Sequence, residues 1–416
     1  MRRVFFAFFP LLFIPTIFYS QTSPDCSAVT IVSATNNGTN TVATYFEANG
    51  IRNGNDYFGS TVYYPQNTTS MLTSIIIIPG YANYESSIQN WGPFLASHGI
   101  VCMTIGTNSI FDLVNARKEA LQDALISLKA ENTRINSPLY NKLDTNRMAL
   151  GGWSMGGGGA QLVAVEDSTI KAIIALCSWI DPAQLTINSL NHDSPILFFS
   201  GQIDAIAPPN THANVHYSYT PNTTDKLLYE ITLGGHTVAN SPSGGQGEVG
   251  RMALSWLKKY LIEDFCYCPL LLDTPLTASV YQTNITCPIF GCTDTLATNY
   301  NPNATIDDSS CTYQMTYVPD DNFEQALIYL GYDNVLDDSV LTANINTVDS
   351  LNVSNSWAWS QISDLTGIEA FTALTYLECR DNQLISLDVS NNTALTYLEC
   401  RDNQLTSLDV STNTAL

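Results

Sequence analysis

A serine between closely spaced glycines stands in the first half of the chain, within Gly152-Trp153-Ser154-Met155-Gly156. The strand-like run Arg147–Gly151 precedes this G-x-S-x-G motif, and a helix-compatible stretch follows over residues 157–166. A sharp strand-to-helix turn lifts a serine hydroxyl above the edge of a sheet, and small neighbours let the backbone make that turn. The motif therefore predicts Ser154 as a nucleophile for acyl transfer.

An acid and a histidine follow the serine, each just after another strand-like run. Asp204 comes after Pro195–Ser200, and His236 comes after Lys226–Ile231. The order serine, acid, histidine is the order of the α/β-hydrolase fold. We expect His236 to take the Ser154 proton and return it to the leaving group, while Asp204 orients the imidazole and stabilises its cation.

Other residues compete for these two roles. His98 precedes the nucleophile, where the topology offers no place for a catalytic histidine, and Asp181 is the one serious rival to Asp204. The remaining histidines are expected to be solvated, in polar loops or on a helix surface: His192, His212 and His216.

The charge that develops on an ester oxygen needs two backbone N–H groups directed at it. Met155, next to the nucleophile, supplies one of them. The second is expected from the loop Pro79-Gly80-Tyr81 after an earlier strand, so Tyr81 is the candidate. The Tyr81 ring and Trp179, which lies three residues beyond the run Lys171–Leu176, are expected at the rim of the site. Ordinary packing at the rim is the alternative for both rings.

The region that holds these residues, about 24–288, alternates apolar strand-like runs with amphipathic helical patterns. That alternation predicts the α/β class, with parallel strands joined by helices over residues 112–130 and 248–261. Only 18 residues separate Leu176 from Pro195, too few for the lid domain of many lipases, so the cleft should be open to a bulky chain. The predicted strands are Ser74–Pro79, Ile100–Ile105, Arg147–Gly151, Lys171–Leu176, Pro195–Ser200 and Lys226–Ile231.

Charge and the N-terminal segment narrow the class of protein. The 416 residues carry 38 acidic and 16 basic side chains, a net charge of −22, which excludes nucleic acid and disfavours anionic membrane surfaces as partners. Residues 1–20 have the pattern of a secretory signal: Arg2 and Arg3 precede the apolar run Val4–Tyr19, which is short for a membrane span. We therefore expect a secreted protein, extracellular or at the cell surface, in a compartment that permits disulfides.

Ten cysteines divide by context. Cys102 and Cys177 lie in apolar runs, where buried free thiols are expected, and Cys379 and Cys400 occupy equivalent positions of a repeat. Zinc is disfavoured because no histidine stands among the others, and the predicted chemistry needs no metal or organic cofactor. The cysteines that suggest disulfides, with their pairing open, are Cys26, Cys266, Cys268, Cys287, Cys292 and Cys311.

Residues 289–314 form a short stretch rich in Cys, Asn and Asp, too small and polar for a core of its own. It resembles the small Asn/Asp-rich cysteine modules between domains of secreted bacterial proteins. A disulfide-closed spacer is the first interpretation, and a site where Asn and Asp oxygens hold a hard cation such as calcium is the alternative.

Residues 373–416 repeat with a period of 21 residues, in the spacing L-x-x-L-x-C-x-x-N-x-L of a leucine-rich repeat. Residues 315–372 would cap this solenoid, with Phe323, Leu327 and Ile328 on a helix. A third copy begins at Leu416, so we expect the chain to be a truncated part of a longer protein. Such extended faces bind surfaces or protein partners. The repeated positions are Leu374, Leu377, Cys379, Asn382, Leu384, Leu387 and Val389, followed by Leu395, Leu398, Cys400, Asn403, Leu405, Leu408 and Val410.

Over about residues 40–288 the chain resembles the bacterial polyester hydrolases, which include cutinases and poly(ethylene terephthalate) hydrolases. The resemblance implies an α/β-hydrolase fold without a large lid, the triad Ser154, Asp204 and His236, and an oxyanion hole at Tyr81 and Met155. It also implies that Tyr81, Met155 and Trp179 contact the substrate and that Cys266 or Cys268 pairs with Cys287. The segments that carry it are Ile78-Pro79-Gly80-Tyr81, Trp91-Gly92-Pro93, Leu95-Ala96-Ser97-His98-Gly99, the serine motif continued through Gly159, and Asp204-Ala205-Ile206-Ala207-Pro208.

Two features depart from that family. Gly234-Gly235 precede His236, where the family commonly has a serine just before the histidine, and the fused repeats are outside its usual pattern. The predicted function is a secreted serine ester hydrolase that cleaves polyesters such as poly(ethylene terephthalate) or cutin through an acyl-enzyme. The alternatives are a carbohydrate esterase or short-chain lipase with the same triad, or a surface-binding repeat protein with a vestigial hydrolase domain.

Overall fold

The computed structural model describes residues 26–66, 68–355 and 361–416, so the predicted signal lies outside the described residues. The chain divides between Cys287 and Pro288 into two compact units. We call them the sheet unit, which ends at Cys287, and the repeat unit, which begins at Pro288, and treat each by itself.

The sheet unit is built on nine strands in the order β1-β2-β4-β3-β5-β6-β7-β8-β9. Strands β3 to β8 are parallel to one another, whereas β1, β2 and β9 join the sheet antiparallel. All six predicted strands are present. The strands are β1 (Val42–Phe46), β2 (Ser60–Pro65), β3 (Leu72–Ile78), β4 (Val101–Ile105), β5 (Leu143–Trp153), β6 (Ala172–Leu176), β7 (Ile196–Gly201), β8 (Lys226–Ile231) and β9 (Ala278–Thr283).

Helices cover both faces of this sheet. The predicted helix over 112–130 is α3, and the one over 248–261 is α6 continued by a wider turn at Lys258–Ile262. The helices are α1 (Ile31–Thr35), α2 (Trp91–Ser97), α3 (Val114–Glu131), α4 (Met155–Glu166), α5 (Ala213–Tyr219), α6 (Glu248–Leu257) and α7 (Cys268–Leu272).

The central strands are buried on both faces, and β3 gives the pattern most clearly. Ile75 and Ile77 enter one apolar cluster with residues of α2 and α6, whereas Ile76 and Ile78 enter the other with residues of α3 and α4. Successive side chains of a strand point to opposite faces, so one apolar run supplies both cores. Each buried isoleucine stabilises the fold by about 1.5–3 kcal/mol.

Two disulfides hold the ends of the sheet unit. Cys26 pairs with Cys266, and Cys268 pairs with Cys287. Of the two partners left open for Cys287, the structure therefore selects Cys268. Cys102 and Cys177 are buried free thiols, as predicted.

The repeat unit begins with the polar spacer, which is closed by the disulfide Cys292–Cys311. The spacer also contains two short strands that pair in parallel, β10 (Phe290–Gly291) and β11 (Ile306–Asp307). Its acidic side chains accept local hydrogen bonds: Tyr313 donates to Asp294 at 2.7 Å and Thr293 to Asp307 at 3.1 Å. Within the described residues, no group of three or more His, Cys, Asp or Glu is arranged to hold a metal ion.

The rest of the repeat unit stacks short strands on a core. Leu377 of β15 lies beside Leu351 of β14 on one side and Leu398 of β16, 21 residues later, on the other. Asn382 donates from Nδ2 to the carbonyls of Val353 and Cys379, at 2.9 and 3.1 Å. The remaining elements are β12 (Met315–Tyr317), α8 (Asp321–Leu330), β13 (Ser339–Leu341), α9 (Thr342–Ile345), β14 (Ser350–Asn352), β15 (Tyr376–Glu378) and β16 (Tyr397–Glu399).

Candidate active site

The backbone turns sharply between β5 and α4, and Ser154 occupies the turn. Its φ of 56° and ψ of −123° lie in a region that residues with a side chain seldom adopt. A Cβ on Gly152 would lie 2.2 Å from the carbonyl carbon of Gly156, and a Cβ on Gly156 would lie 2.5 Å from the Ile78 oxygen. Only glycine fits at either position, which explains why the serine stands between them.

Three side chains form a continuous hydrogen-bonded chain at the carboxyl edge of the parallel strands. Ser154 Oγ lies 2.8 Å from His236 Nε2, and His236 Nδ1 lies 2.7 Å from Asp204 Oδ2. The three residues follow β5, β8 and β7, whose carboxyl ends meet at one edge because these strands are parallel. The structure thus brings together the serine, acid and histidine that the sequence singles out.

Asp204 is held as a carboxylate inside the protein. Its Oδ1 accepts from the amides of Ile206 and Ala207 at 2.8 and 2.9 Å, and only 3% of the residue is exposed. Burial alone would raise the pKa of Asp204, but the hydrogen bonds from His236 and the two amides hold it below its usual value. Asp181, the rival acid, instead accepts from the Ala183 amide at 3.0 Å within its own turn.

The position of the histidine is set by a residue that the sequence analysis did not select. Trp153 Nε1 donates to the backbone carbonyl of His236 at 2.8 Å, and the two rings lie 5.3 Å apart. Trp153 is the first variable position of the G-x-S-x-G motif, where the pattern carries no information about residue type. The motif thus contributes the serine and a support for its histidine.

The loop after β3 lies against the serine. A Cβ on Gly80 would approach Ser154 Cβ to 2.7 Å, so Gly80 allows the loop, with Tyr81 next in sequence, to come this close. Met155 begins α4, and an N–H at a helix N-terminus favours negative charge. The two candidate donors of the oxyanion hole are the amides of Tyr81 and Met155. Tyr81 follows Gly80, which approaches Ser154, and Met155 follows Ser154 itself.

A buried arginine anchors that loop. Arg117 of α3 donates to the carbonyls of Pro79, Ile110 and Asp112 at 2.8, 3.1 and 3.1 Å. Burial lowers the pKa of Arg117 to about 10, which leaves the guanidinium charged at neutral pH. Because Pro79 immediately precedes Gly80, the arginine fixes the backbone that approaches the serine. This role could not be predicted from the sequence, since an arginine in an amphipathic helix is most often solvated.

The two aromatic rings predicted at the rim are both partly exposed. Tyr81 is 43% exposed, and its ring lies 5.7 Å from that of Phe111. Trp179 is half-buried, donates from its backbone amide to the Ser154 carbonyl at 2.9 Å, and packs 5.8 Å from the His212 ring. Each ring therefore combines a packing contact with an accessible surface.

The prediction that three other histidines are solvated is wrong. His192, His212 and His216 are 5%, 4% and 0% exposed. His216 lies on the inner face of α5, with Nδ1 3.0 Å from Ser178 Oγ, and burial lowers its pKa to about 3. The exposed polar neighbours of His212 and His216, such as Asn214 and Ser218, lie on the outer face of α5, whereas His192 is buried in the loop before β7 between exposed polar residues. His98 bonds to the Asn36 carbonyl at 2.8 Å and takes no part in the site.

The segment between β6 and β7, residues 177–194, contains no helix or strand. Within the described part of the chain, no helix is long and apolar enough to span a membrane.

A mixed sheet with helices on both faces, carrying a serine, a histidine and an aspartate at one edge, defines an α/β hydrolase. Comparison with known proteins then gives the family. A family model described as PETase, PET hydrolase-like, matches residues 19–288, and the chain belongs to this family.

Characterised relatives agree with that assignment. Cutinase est1 of Thermobifida alba is 33% identical over 246 residues, 58% of this chain and 79% of the relative. Bis(hydroxyethyl) terephthalate hydrolase of Streptomyces coelicolor is 33% identical over 235 residues, 55% and 71% of the two chains. Lipase 1 of Moraxella sp. (strain TA144) is 34% identical over 210 residues, 50% and 61% of the two chains. The protein is a carboxylic-ester hydrolase.

Proposed function

We propose that this chain is a secreted serine hydrolase that cleaves polyesters, such as poly(ethylene terephthalate) or cutin, through an acyl-enzyme. The observation that carries the proposal is the unbroken hydrogen-bonded chain from Asp204 through His236 to Ser154. Neither a metal nor an organic cofactor enters this chemistry.

In the first half of the reaction, Ser154 Oγ attacks the ester carbonyl carbon and its proton passes to His236 Nε2. The carbonyl oxygen becomes an oxyanion, which the amides of Tyr81 and Met155 stabilise. When the intermediate collapses, the bond to the alcohol oxygen breaks and His236 returns the proton to that oxygen. The alcohol leaves, and the acyl group stays on Ser154.

In the second half, water attacks the acyl carbon and gives one proton to His236. The second tetrahedral intermediate releases the carboxylic acid as the His236 proton returns to Ser154 Oγ, which restores the enzyme. Throughout, the ionised Asp204 holds the imidazole in the required tautomer and stabilises its cation. The lowered pKa of Asp204 supports an ionised carboxylate in this role at neutral pH.

A polymeric substrate is supported by residues 177–194, which form no helix or strand that could serve as a lid, and by the names of the relatives, which include cutinases and a terephthalate-ester hydrolase. Tyr81, which follows the glycine that approaches Ser154, and Trp179, whose amide donates to the Ser154 carbonyl, carry partly exposed rings that could contact a flat or aliphatic repeat unit. The film assay is direct: the full chain is incubated with an amorphous aromatic polyester, and soluble acids are measured.

The control for that assay is Ser154→Ala, run beside a short soluble ester. Film products that vanish in the variant support a polyester hydrolase. Cleavage of the soluble ester alone would retain the serine chemistry and refute the polymeric substrate. Unchanged cleavage by Ser154→Ala would refute the assignment of the nucleophile.

A short-chain lipase is the second candidate, because Lipase 1 of Moraxella is among the relatives. Rates on emulsified triglycerides and on polyester film distinguish the two. A kcat/KM that is higher for triglycerides, with no acid released from film, would favour the lipase.

We further propose that residues 373–416 are leucine-rich repeats, capped by residues 315–372, that attach the enzyme to a surface or protein partner. Support comes from the parallel pairing of β14, β15 and β16 and from the buried leucines at repeated positions. Removal of residues 288–416 should lower adsorption to the film or cell surface and leave turnover of a soluble ester unchanged. Equal adsorption by the shortened protein would refute the attachment role.

Export is proposed on the N-terminal pattern and on the three disulfides, which form in oxidising compartments. Cell fractionation tests it, because retention in the cytoplasm would contradict this location.

A further inference from the structure

A groove of about 440 Å³ opens at the carboxyl edge of the sheet, the edge at which Ser154 also lies. Its lining residues come from three chain segments: Phe58-Gly59 before β2, residues 83–86 and 89 after β3, and residues 106–108 and 110 after β4. Strands β3 and β4 are parallel to β5, β7 and β8, so their carboxyl ends lie at the edge that carries the active site. The groove is therefore on the face where a long substrate would lie.

A ring contact and two hydrogen bonds join the Tyr81 loop to the lining of the groove. The Tyr81 ring contacts the Phe111 ring, and the Ala82 amide donates to the Ile110 carbonyl at 2.7 Å. Asn83 Nδ2 donates to the Tyr81 carbonyl at 2.9 Å. A chain that passes Tyr81 thus meets Ile110 and Asn83 next, and both of these line the groove.

Large apolar side chains are exposed along this path. Phe58 is 76% exposed and Tyr84 is 69% exposed, although burying either ring would remove substantial apolar area from water. Phe111, which follows the lining residue Ile110 in sequence, is also 59% exposed. Large apolar side chains that are exposed within one groove mark a surface that a ligand covers.

The charge of the groove restricts the class of ligand that it can bind. Glu85 is the one charged residue among the described residues that line it. Its Oε1 accepts from Thr104 Oγ1 at 2.6 Å, which holds the carboxylate in place. A lining with one fixed negative charge and no cation disfavours a carboxylate-ended chain and admits a neutral repeat unit.

We propose that this groove is a remote subsite that binds a neutral internal repeat unit of an ester-linked polymer while another ester bond of the same chain lies at Ser154. Phe58 and Tyr84 provide the contact surface for the repeat unit, and Glu85 discriminates against free acid ends. The inference rests on the proposed function, because it assigns a place to the second repeat of a polymeric substrate.

A substrate series of increasing length tests the subsite in the full chain. Alcohol-capped, uncharged oligoesters with one, two and three repeat units are compared with p-nitrophenyl butyrate. We expect kcat/KM of the wild type to rise with length. The double variant Phe58→Ala with Tyr84→Ala should lose about tenfold on the trimer, keep its kcat/KM on p-nitrophenyl butyrate, and so lose the length dependence. Leu276→Ala, at a fully exposed leucine outside the groove, is the matched control and should retain the length dependence.

The charge is tested separately with Glu85→Gln, which keeps an oxygen for the Thr104 hydroxyl. This variant should cleave carboxylate-ended oligomers about threefold faster and neutral ones at the wild-type rate. A double variant with the wild-type length dependence would overturn the subsite and leave the polyester hydrolase intact. A wild type whose kcat/KM does not rise with length would overturn the subsite and the polymeric substrate together.

Discussion

The two units of this chain gather their key residues in opposite ways. In the sheet unit, Ser154 and His236 are 82 residues apart, and they meet because parallel strands end at one edge. In the repeat unit, Leu377 and Leu398 meet because one 21-residue segment is laid beside the next. Long-range assembly creates a single site in which each residue has a distinct role. Stacking creates many similar contacts, each of which contributes part of the stability.

The largest effect is expected from changing one member of the site without changing its shape. Asp204→Asn should lower kcat on a soluble ester about 10⁴-fold, because an amide favours the wrong imidazole tautomer. The melting temperature of each unit should change little by comparison. Activity within tenfold of wild type would show that Asp204 does not orient His236.

A positioning residue should have a smaller effect. Arg117→Gln removes the donors to the carbonyl of Pro79, which precedes the Tyr81 loop, and to the carbonyl of Ile110, which faces that loop. We expect kcat to fall about 100-fold, because the Tyr81 amide would be misplaced as a donor of the oxyanion hole. The neighbouring Lys118→Gln, which breaks a surface ion pair with Glu166, is the control and should stay within twofold. A rise in KM with kcat unchanged would contradict the role of Arg117.

Acid should separate the stabilities of the two units. Burial lowers the pKa of His216 to about 3 and that of His192 to about 4. In the unfolded chain both histidines have the ordinary pKa of about 6.5. Between about pH 6.5 and these lower values, the unfolded chain therefore binds more protons than the folded one. Each histidine then removes up to about 1.4 kcal/mol of stability per pH unit as the pH falls through that window.

All five histidines lie in the sheet unit. The repeat unit depends instead on carboxyls such as Asp320, whose pKa is lowered by hydrogen bonds from Ser363 and other groups despite its burial. The stability of the repeat unit should therefore fall only below about pH 4, where such carboxyls become protonated in the unfolded chain. Calorimetry from pH 7.5 to 4.5 should therefore show the sheet-unit transition moving down alone, and a parallel decline of both transitions would contradict this assignment.

Within the repeat unit, one rung can be weakened without affecting catalysis. Asn382→Ala leaves the buried carbonyls of Val353 and Cys379 without their donor and should cost about 2 kcal/mol in the repeat unit. Asn403→Ala removes an equivalent but more exposed residue and should cost less. Esterase activity should be unchanged in both, and a loss in either would show that the units do not act separately.

The smallest effect is expected where the chain departs from its family. A Cβ added at Gly235 would meet no atom within 4 Å, so Gly235→Ser should fit without strain. We expect kcat/KM on a soluble ester within about twofold of wild type, because His236 is held through its ring nitrogens and its carbonyl. A drop of tenfold or more would reveal a constraint on this loop that the geometry does not contain.

Residues whose role depends on order and local pattern could be predicted from the sequence. The central strands are continuous apolar runs, and the serine motif with its downstream acid and histidine follows a fixed chain order. Strands β1, β2 and β9 were missed because they lie at the sides of the sheet, where exposed and buried residues mix and no continuous run forms.

Roles that arise only from packing could not be predicted. Trp153 donates to the backbone carbonyl of His236, 83 residues away, and Arg117 donates to that of Pro79, 38 residues away. No spacing in the sequence predicts such contacts. The burial of His216 depends on which face of α5 meets the sheet unit, and a seven-residue helix is too short to show that periodicity.

The two disulfides of the sheet unit also define a path for mechanical force. Tension applied between residue 26 and residue 288 passes from Cys26 to Cys266, along the chain to Cys268, and across to Cys287. All nine strands lie in the loops outside that path. An enzyme pulled at both ends, as when one end is fixed to a surface and the other to a cell, would carry the load on a few covalent bonds while its catalytic edge stays unloaded.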